Sequence, residues 1–186
     1  MTVYVDMDMV LVQYYEHFQC FAKMLDERID LEKIPEVPIS MSTVGFIKPF
    51  VGELDALQLK RDIYHSFSFW KTMPFKENAE EVFKWLYEHF DVYIATSAFV
   101  AESEECIIGK YRWIEEKLPY FDKGKLIYCQ YKSNLKGGYI IDDVNWLLKD
   151  FGGAVITFDY PYNRHIDTEY RVKDWLEIKE FFEERL

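Results

Sequence analysis

The sequence of 186 residues is short of positive charge: 22 Lys and Arg stand against 33 Asp and Glu, a formal net charge of -11. A nucleic-acid polymer needs a basic face to neutralise its phosphates, so no such partner is expected. Cysteine is scarce. Cys20, Cys106 and Cys129 are scattered without metal-ligand spacing and read as reduced, packed thiols. His17, His65, His89 and His165 show no ligand spacing either. No apolar run is long enough to cross a membrane. Met1 leads straight into an apolar strand, not into a basic region followed by an apolar stretch, so no signal peptide and a cytoplasmic location are expected. The chain has neither an internal repeat nor a low-complexity tract.

What is present is a composition for burial, 49% hydrophobic and 30% charged, at a length that suits one core with a modest insertion. Aromatic residues are abundant, with 15 Phe, 14 Tyr and 5 Trp. Rings in such number can fill a core or line a pocket for a flat ligand.

The stretch Val3-Tyr4-Val5-Asp6-Met7-Asp8-Met9-Val10 organises the rest. Apolar and β-branched residues run into two acids, as in a buried parallel strand that ends in carboxylates. In extended chain, residues two apart point to the same side, so Asp6 and Asp8 can both face a ligand at the sheet edge. A divalent cation between them would remove most of the cost of pairing like charges.

Further along, helical periodicity over Gln13 to Ile29 is followed by a stretch from Leu31 to Pro49 broken by Pro35, Pro38, Gly45 and Pro49, which reads as loop with short elements at best. Helices are expected over Leu54 to Tyr64, Glu77 to Phe90, Ser103 to Leu118 and Arg171 to Leu186. Between them, Asp91–Ser97, Leu126–Cys129, Gly138–Asp143 and Ala154–Phe158 read as four further short strands. Strands alternating with amphipathic helices imply right-handed crossovers and an α/β fold: a Rossmann-like parallel sheet with helices on both faces. The gap between the first two strands exceeds one crossover. Residues 13–75 are therefore expected to form a small helical cap inserted after the first strand, and residues 1–12 with 76–186 the α/β core.

In a parallel sheet all C-terminal strand ends share one edge. That edge would gather Asp6 and Asp8, Thr96 and Ser97, Lys132, and Asp142 with Asp143. A phosphate there would meet the Lys132 ammonium and the hydroxyls of Thr96 and Ser97, while the acids hold a cation against it. Mg²⁺ suits hard oxygen ligands and shares itself between carboxylates and phosphate. Asp6 can then attack phosphorus, and Asp8 can protonate the departing alkoxide and later deprotonate water.

These residues, in this order, resemble the four motifs of the haloacid dehalogenase superfamily of phosphohydrolases, and the resemblance covers nearly the whole chain. A narrower likeness rests on Thr96-Ser97, Lys110-Tyr111-Arg112-Trp113, Lys132, Tyr139-Ile140-Ile141-Asp142-Asp143, and Phe158 with Pro161-Tyr162-Asn163-Arg164-His165. It is similar to the 5'(3')-deoxyribonucleotidase family. That likeness implies Mg²⁺-dependent removal of phosphate from nucleoside monophosphates, with Asp6 as nucleophile and Asp8 as general acid/base. It also implies that Asp8 lends its backbone carbonyl to the metal and that Asp142 and Asp143 complete the shell. Met9 departs from the family, which usually has Gly there. The candidates for stacking a base are Phe18, Phe46, Phe69 and Trp70, and Arg164 is a candidate for sensing substrate. A phosphatase for a sugar phosphate, or a phosphoacceptor or binding domain without turnover, are the alternatives. Against the signalling domain stand the spacing of the early acids by Met7 and the large insertion.

Overall fold

The computed structural model describes residues 1–40, 42–98 and 103–186. These divide into two compact units, Met1–Gln13 with Phe75–Ser97 and Tyr120–Leu186, and Tyr14–Pro74 with Ala98–Pro119.

The first, the sheet unit, contains six strands: β1 (Thr2–Val5), β2 (Asp91–Thr96), β3 (Leu126–Tyr128), β4 (Tyr139–Asp142), β5 (Ala154–Phe158) and β6 (Tyr170–Val172). They pair in parallel in the order β3-β2-β1-β4-β5-β6. The chain therefore winds one way through β1, β2 and β3 and the other way through β4, β5 and β6. The reversal lies between β1 and β4, and at such a switch point the diverging loops leave a crevice at the C-terminal strand ends. Register places Val5 beside both Ile94 and Ile141, so Asp6 and Asp142 begin the crevice on adjacent strands.

The sheet holds together as buried parallel strands do, through aliphatic side chains on both faces. Val3, Val5, Val92, Ile94, Ile141 and Ile156 have essentially no exposed surface. Helices α5 (Ala79–His89) and α7 (Trp175–Glu183) pack together, with Phe83 against Trp175 and Phe90 against Phe182, while Phe182 also meets Tyr139 of β4. Tyr4, Ala95 and Ile140, on alternate positions of their strands, form a second cluster with Leu148 and Phe151. Asp174 starts α7 by accepting hydrogen bonds from the backbone N–H groups of Leu176 and Glu177, both at 2.9 Å, which satisfies two of the orphan donors of a helix N-terminus.

The second, the helical unit, carries α1 (Tyr14–Leu25), α2 (Thr43–Val51), α3 (Glu53–Tyr64), α4 (Phe67–Lys71) and α6 (Glu104–Lys117). Its core is aromatic: Phe18, Phe69, Trp70 and Trp113 are fully buried. The indole N–H of Trp70 donates to the Tyr64 carbonyl at 2.8 Å and that of Trp113 to the Met73 carbonyl at 2.7 Å, so both large rings satisfy their polar atom while buried. Gly109 is required where α6 meets α4, because a Cβ there would lie 2.4 Å from Trp70 Cβ.

Two sequence expectations are corrected. The segment read as loop up to Pro49 contains α2, capped by Ser42, whose hydroxyl accepts from the Gly45 N–H at 3.1 Å. Thr43, Ile47 and Val51, four residues apart, bury one face of α2, and that burial outweighs the helix-breaking tendency of Pro49. The terminal helix expected from Arg171 begins at Trp175, because Tyr170–Val172 forms a sixth strand beside β5. Among the described residues, no helix is long and apolar enough to cross a membrane.

Candidate active site

Lys132 is the hub of the crevice. It sits in a 3-10 turn after β3 and is almost fully buried. Its ammonium contacts Asp6 Oδ1 at 2.6 Å and Asp142 Oδ2 at 2.7 Å, which joins the ends of β1 and β4 through one cation. Asp143 completes the group: Asp6, Asp142 and Asp143 are all buried, each with a carboxylate oxygen within 4.8 Å of the others. Backbone donors fix two of the three. The Met7 N–H donates to Asp6 Oδ1 at 2.8 Å and the Val144 N–H to Asp142 Oδ1 at 2.7 Å.

Electrostatics here are unbalanced. Burial pushes the Asp6 carboxyl up to about 7, the nearby charges of Asp142 and Asp8 add to that, and Lys132 opposes it. Burial likewise holds Asp143 well above the usual carboxylate range, reinforced by Asp142 and Asp6 and opposed by the hydrogen bond from Tyr162. Burial works against the Lys132 ammonium, but Asp142 and Asp6 outweigh it and hold the group above the ordinary lysine value. Fully ionised, three carboxylates against one ammonium would leave net negative charge in a low-dielectric site, which is why Asp6 and Asp143 hold their protons more tightly than ordinary carboxyls. A divalent cation with a preference for oxygen ligands fits both that charge and that donor set.

Thr96 ends β2 fully buried, two positions past the residue paired with Val5, and Ser97 follows it half-buried. Asp8 is half-buried and is not a member of the carboxylate cluster. It lies in a tight turn in which the N–H groups of Leu11 and Val12 both donate to the Met7 carbonyl, at 2.9 and 3.0 Å. Met9 within this turn has φ 65. A left-handed conformation costs a non-glycine residue about 1–2 kcal/mol. The turn tolerates it because the Tyr160 hydroxyl donates to the Met9 carbonyl at 2.7 Å and the Trp175 indole N–H to the Val10 carbonyl at 2.8 Å.

The aromatic candidates separate. Phe18, Phe69 and Trp70 are fully buried and pack edge-on, tilted or stacked with Tyr14 and Tyr64, so the helical unit uses them as core. Phe46 is half-buried and, with Tyr15, Pro35 and Phe50, lines a cavity of about 570 Å³ in that unit. Arg164 is exposed and paired with Asp159 at 2.7 Å. Sequence reasoning gave no role to Tyr160, Tyr162, Asn163 or Arg171. Tyr162 donates to Asp143 Oδ2, and Asn163 Nδ2 donates to the Asp143 carbonyl at 2.9 Å. The Pro-Tyr-Asn run was visible in the sequence, but nothing local to it indicates contact with an acid 19 residues earlier.

Comparison with known proteins agrees with this geometry. The family model described as "5' nucleotidase, deoxy (Pyrimidine), cytosolic type C protein" matches residues 1–185. A Staphylococcus epidermidis protein provisionally named 5'(3')-deoxyribonucleotidase is 30% identical over 180 residues, 96% of this chain and 93% of its own length. The 5'(3')-deoxyribonucleotidase of Bacillus subtilis is 27% identical over 141 residues, 70% of this chain and 81% of its own. Among solved structures, a haloacid dehalogenase-type hydrolase of Bacillus subtilis bound to magnesium superposes with a TM-score of 0.62 at 15% identity, covering 97% of both chains. At that identity the likeness establishes the fold.

Proposed function

This chain belongs to the family of deoxy (pyrimidine) 5' nucleotidases of cytosolic type C and is a phosphomonoester hydrolase with a haloacid dehalogenase-like α/β core; we propose that it hydrolyses nucleoside monophosphates, deoxyribonucleotides foremost, with Mg²⁺ and through a phosphoaspartate on Asp6. One observation carries the reading. Lys132 bridges Asp6 and Asp142 at 2.6 and 2.7 Å inside a buried triad of carboxylates at the switch point of a parallel sheet. A structural ion pair needs one acid, and replacing buried ion pairs by apolar residues is often neutral or stabilising. Four buried ionisable groups are better explained by chemistry than by stability.

In this reading Lys132 binds a phosphate oxygen and keeps Asp6 aligned, and the Thr96 hydroxyl and neighbouring backbone donors hold the remaining oxygens. Asp6 attacks phosphorus; Asp8 protonates the departing nucleoside oxygen, then takes a proton from the water that cleaves the acyl phosphate. Mg²⁺, held by the carboxylates of Asp6, Asp142 and Asp143 with the Asp8 carbonyl, would screen the charge of the phosphate from the nucleophile. Ser97 serves as a further phosphate donor. For the base, Phe46 is the aromatic candidate with surface to offer; Phe18, Phe69 and Trp70 act through the core they build. Residues 13–75 take the part of the substrate-selecting cap.

The test is phosphate release from a panel of deoxy- and ribonucleoside 3'- and 5'-monophosphates and several sugar phosphates, with Mg²⁺ and again with EDTA. Metal-dependent release that is fastest with deoxynucleotides is expected. Release from sugar phosphates alone would discard the nucleotide substrate, and none from any substrate would discard the hydrolytic reading.

A further inference from the structure

The turn Pro161–Asn163, between β5 and β6, grips Asp143 at both ends. Asn163 Nδ2 donates to the Asp143 carbonyl at 2.9 Å and to the Phe158 carbonyl at 2.8 Å, so one buried amide joins the ends of β4 and β5. Its oxygen is occupied too, accepting from Arg171 Nη1 at 2.7 Å and from the Tyr160 N–H at 3.1 Å. Arg171 lies on β6 and also contacts Asp159 Oδ1 at 2.9 Å and the Ile166 carbonyl at 2.9 Å. The backbone carrying Asp143 is thus held by a saturated hydrogen-bond network. The side chain is held separately: the Tyr162 hydroxyl donates to Asp143 Oδ2. Tyr162 cannot swing away easily. Its ring stacks on Tyr160 with centroids 5.2 Å apart and planes 5° from parallel, and Trp146 meets it edge-on at 6.4 Å.

We propose that Tyr162 is a positioning residue which, by occupying one oxygen of Asp143, restricts that carboxylate to one-oxygen coordination and so biases the acidic cluster toward Mg²⁺ over Ca²⁺. This rests on the reading of Asp143 as a metal ligand. The physical basis is the difference between the two ions. Mg²⁺ demands near-octahedral coordination and takes carboxylates through single oxygens, whereas Ca²⁺ accepts more ligands and readily takes both oxygens of one carboxylate. A phenol committed to one oxygen penalises the two-oxygen mode and leaves the one-oxygen mode preorganised. Partners of this kind behind a ligand typically change metal affinity by about 10–100-fold.

Tyr160 provides the internal control. It belongs to the same stack, and its hydroxyl donates to the Met9 carbonyl. A purely structural role for the stack would make Tyr160→Phe and Tyr162→Phe equivalent.

The experiment is titration of the substrate-free protein with MgCl₂ and separately with CaCl₂, by calorimetry and by metal-dependent thermal shift, for wild type, Y160F, Y162F and D143N. For Y162F the expected result is Mg²⁺ binding weakened about 10-fold, with Ca²⁺ binding weakened less, so that the ratio of the two affinities narrows. Y160F should retain the wild-type ratio even if its unfolding midpoint falls. A wild-type ratio in folded Y162F, or equal narrowing in Y160F, would overturn the proposal while leaving the metal site standing. Wild type without Mg²⁺ binding, or D143N binding as wild type does, would overturn the metal reading of Asp143 and the proposal with it.

Discussion

Among the described residues, the buried polar groups of the sheet unit are Asp6, Thr96, Lys132, Asp142, Asp143, Asn145, Thr157 and Asn163, crowded at the C-terminal strand ends, whereas those of the helical unit are Thr43, Ser103 and Lys110; large rings are fully buried in both, Phe83, Trp175 and Phe182 in the sheet unit and Phe18, Phe69, Trp70 and Trp113 in the helical unit. The two units solve burial differently. Rings return free energy in proportion to the apolar area they bury. Buried carboxylates cost desolvation, which is recovered only through partners. The helical unit buries mainly rings, whereas the sheet unit carries, beside its own buried rings, a charge arrangement that a fold alone does not need. Substitutions in the helical unit should read out as stability, and substitutions at the acidic cluster of the sheet unit as chemistry as well.

The sharpest test is Asp6→Asn. Turnover should fall by about 10⁴-fold or more, as when a nucleophile is removed from a group of residues that act as a unit, while circular dichroism and the unfolding midpoint show an intact fold. Hydrolysis retained in that variant, free of contaminating phosphatase, would remove Asp6 from the nucleophile role. Next comes Lys132→Met, which leaves Asp6 and Asp142 buried without their cation. Breaking a buried pair by deleting one partner costs about 3–5 kcal/mol, measurable by urea denaturation in EDTA, and Mg²⁺ should restore part of the loss because it binds only the folded state.

The helical unit should answer differently. Phe69→Ala is expected to cost about 3 kcal/mol or more. If its effect were confined to KM with no loss of stability, Phe69 would be a pocket wall and the comparison would fail. Gly109→Ala should cost about 1–3 kcal/mol by overpacking, since the new methyl meets Trp70 Cβ at 2.4 Å. The smallest effect concerns pH. Burial lowers the pKa of His17 from 6.5, with its hydrogen bond to the Phe69 carbonyl opposing the shift. A folded pKa below the unfolded one means that the unfolded chain binds more protons between the two values. The His17 contribution is accordingly complete above about pH 6.5 and is lost as pH falls through its folded pKa. His17→Gln should flatten that part of a plot of unfolding temperature against pH; an unchanged slope would assign the acid sensitivity elsewhere.

Much of the sheet unit was legible because its information is local. A buried parallel strand is a short continuous apolar run, so β1, β2, β4 and β5 could be bounded from Val3-Tyr4-Val5, Val92-Tyr93-Ile94-Ala95, Ile140-Ile141 and Val155-Ile156. Parallel topology then carried Asp6, Thr96, Lys132, Asp142 and Asp143 to one edge without knowledge of any contact. β6 escaped because Tyr170-Arg171-Val172 is three residues long, half-buried and polar at its centre, and exists by pairing with β5. Helix α2 escaped because Gly45 and Pro49 argue against a helix locally, while the burial of Thr43, Ile47 and Val51 that offsets them is tertiary. The same limit governed the rings: that Phe18, Phe69 and Trp70 are core and Phe46 partly exposed depends on how four helices close around them, which residue type does not encode. By itself the sequence determined which chemical groups exist and at which strand ends they fall. Only the tertiary structure decided that Tyr162 and Asn163 hold Asp143, because a hydrogen bond across 19 or 20 residues depends on β5 lying beside β4, and strand order is a property of the packed sheet.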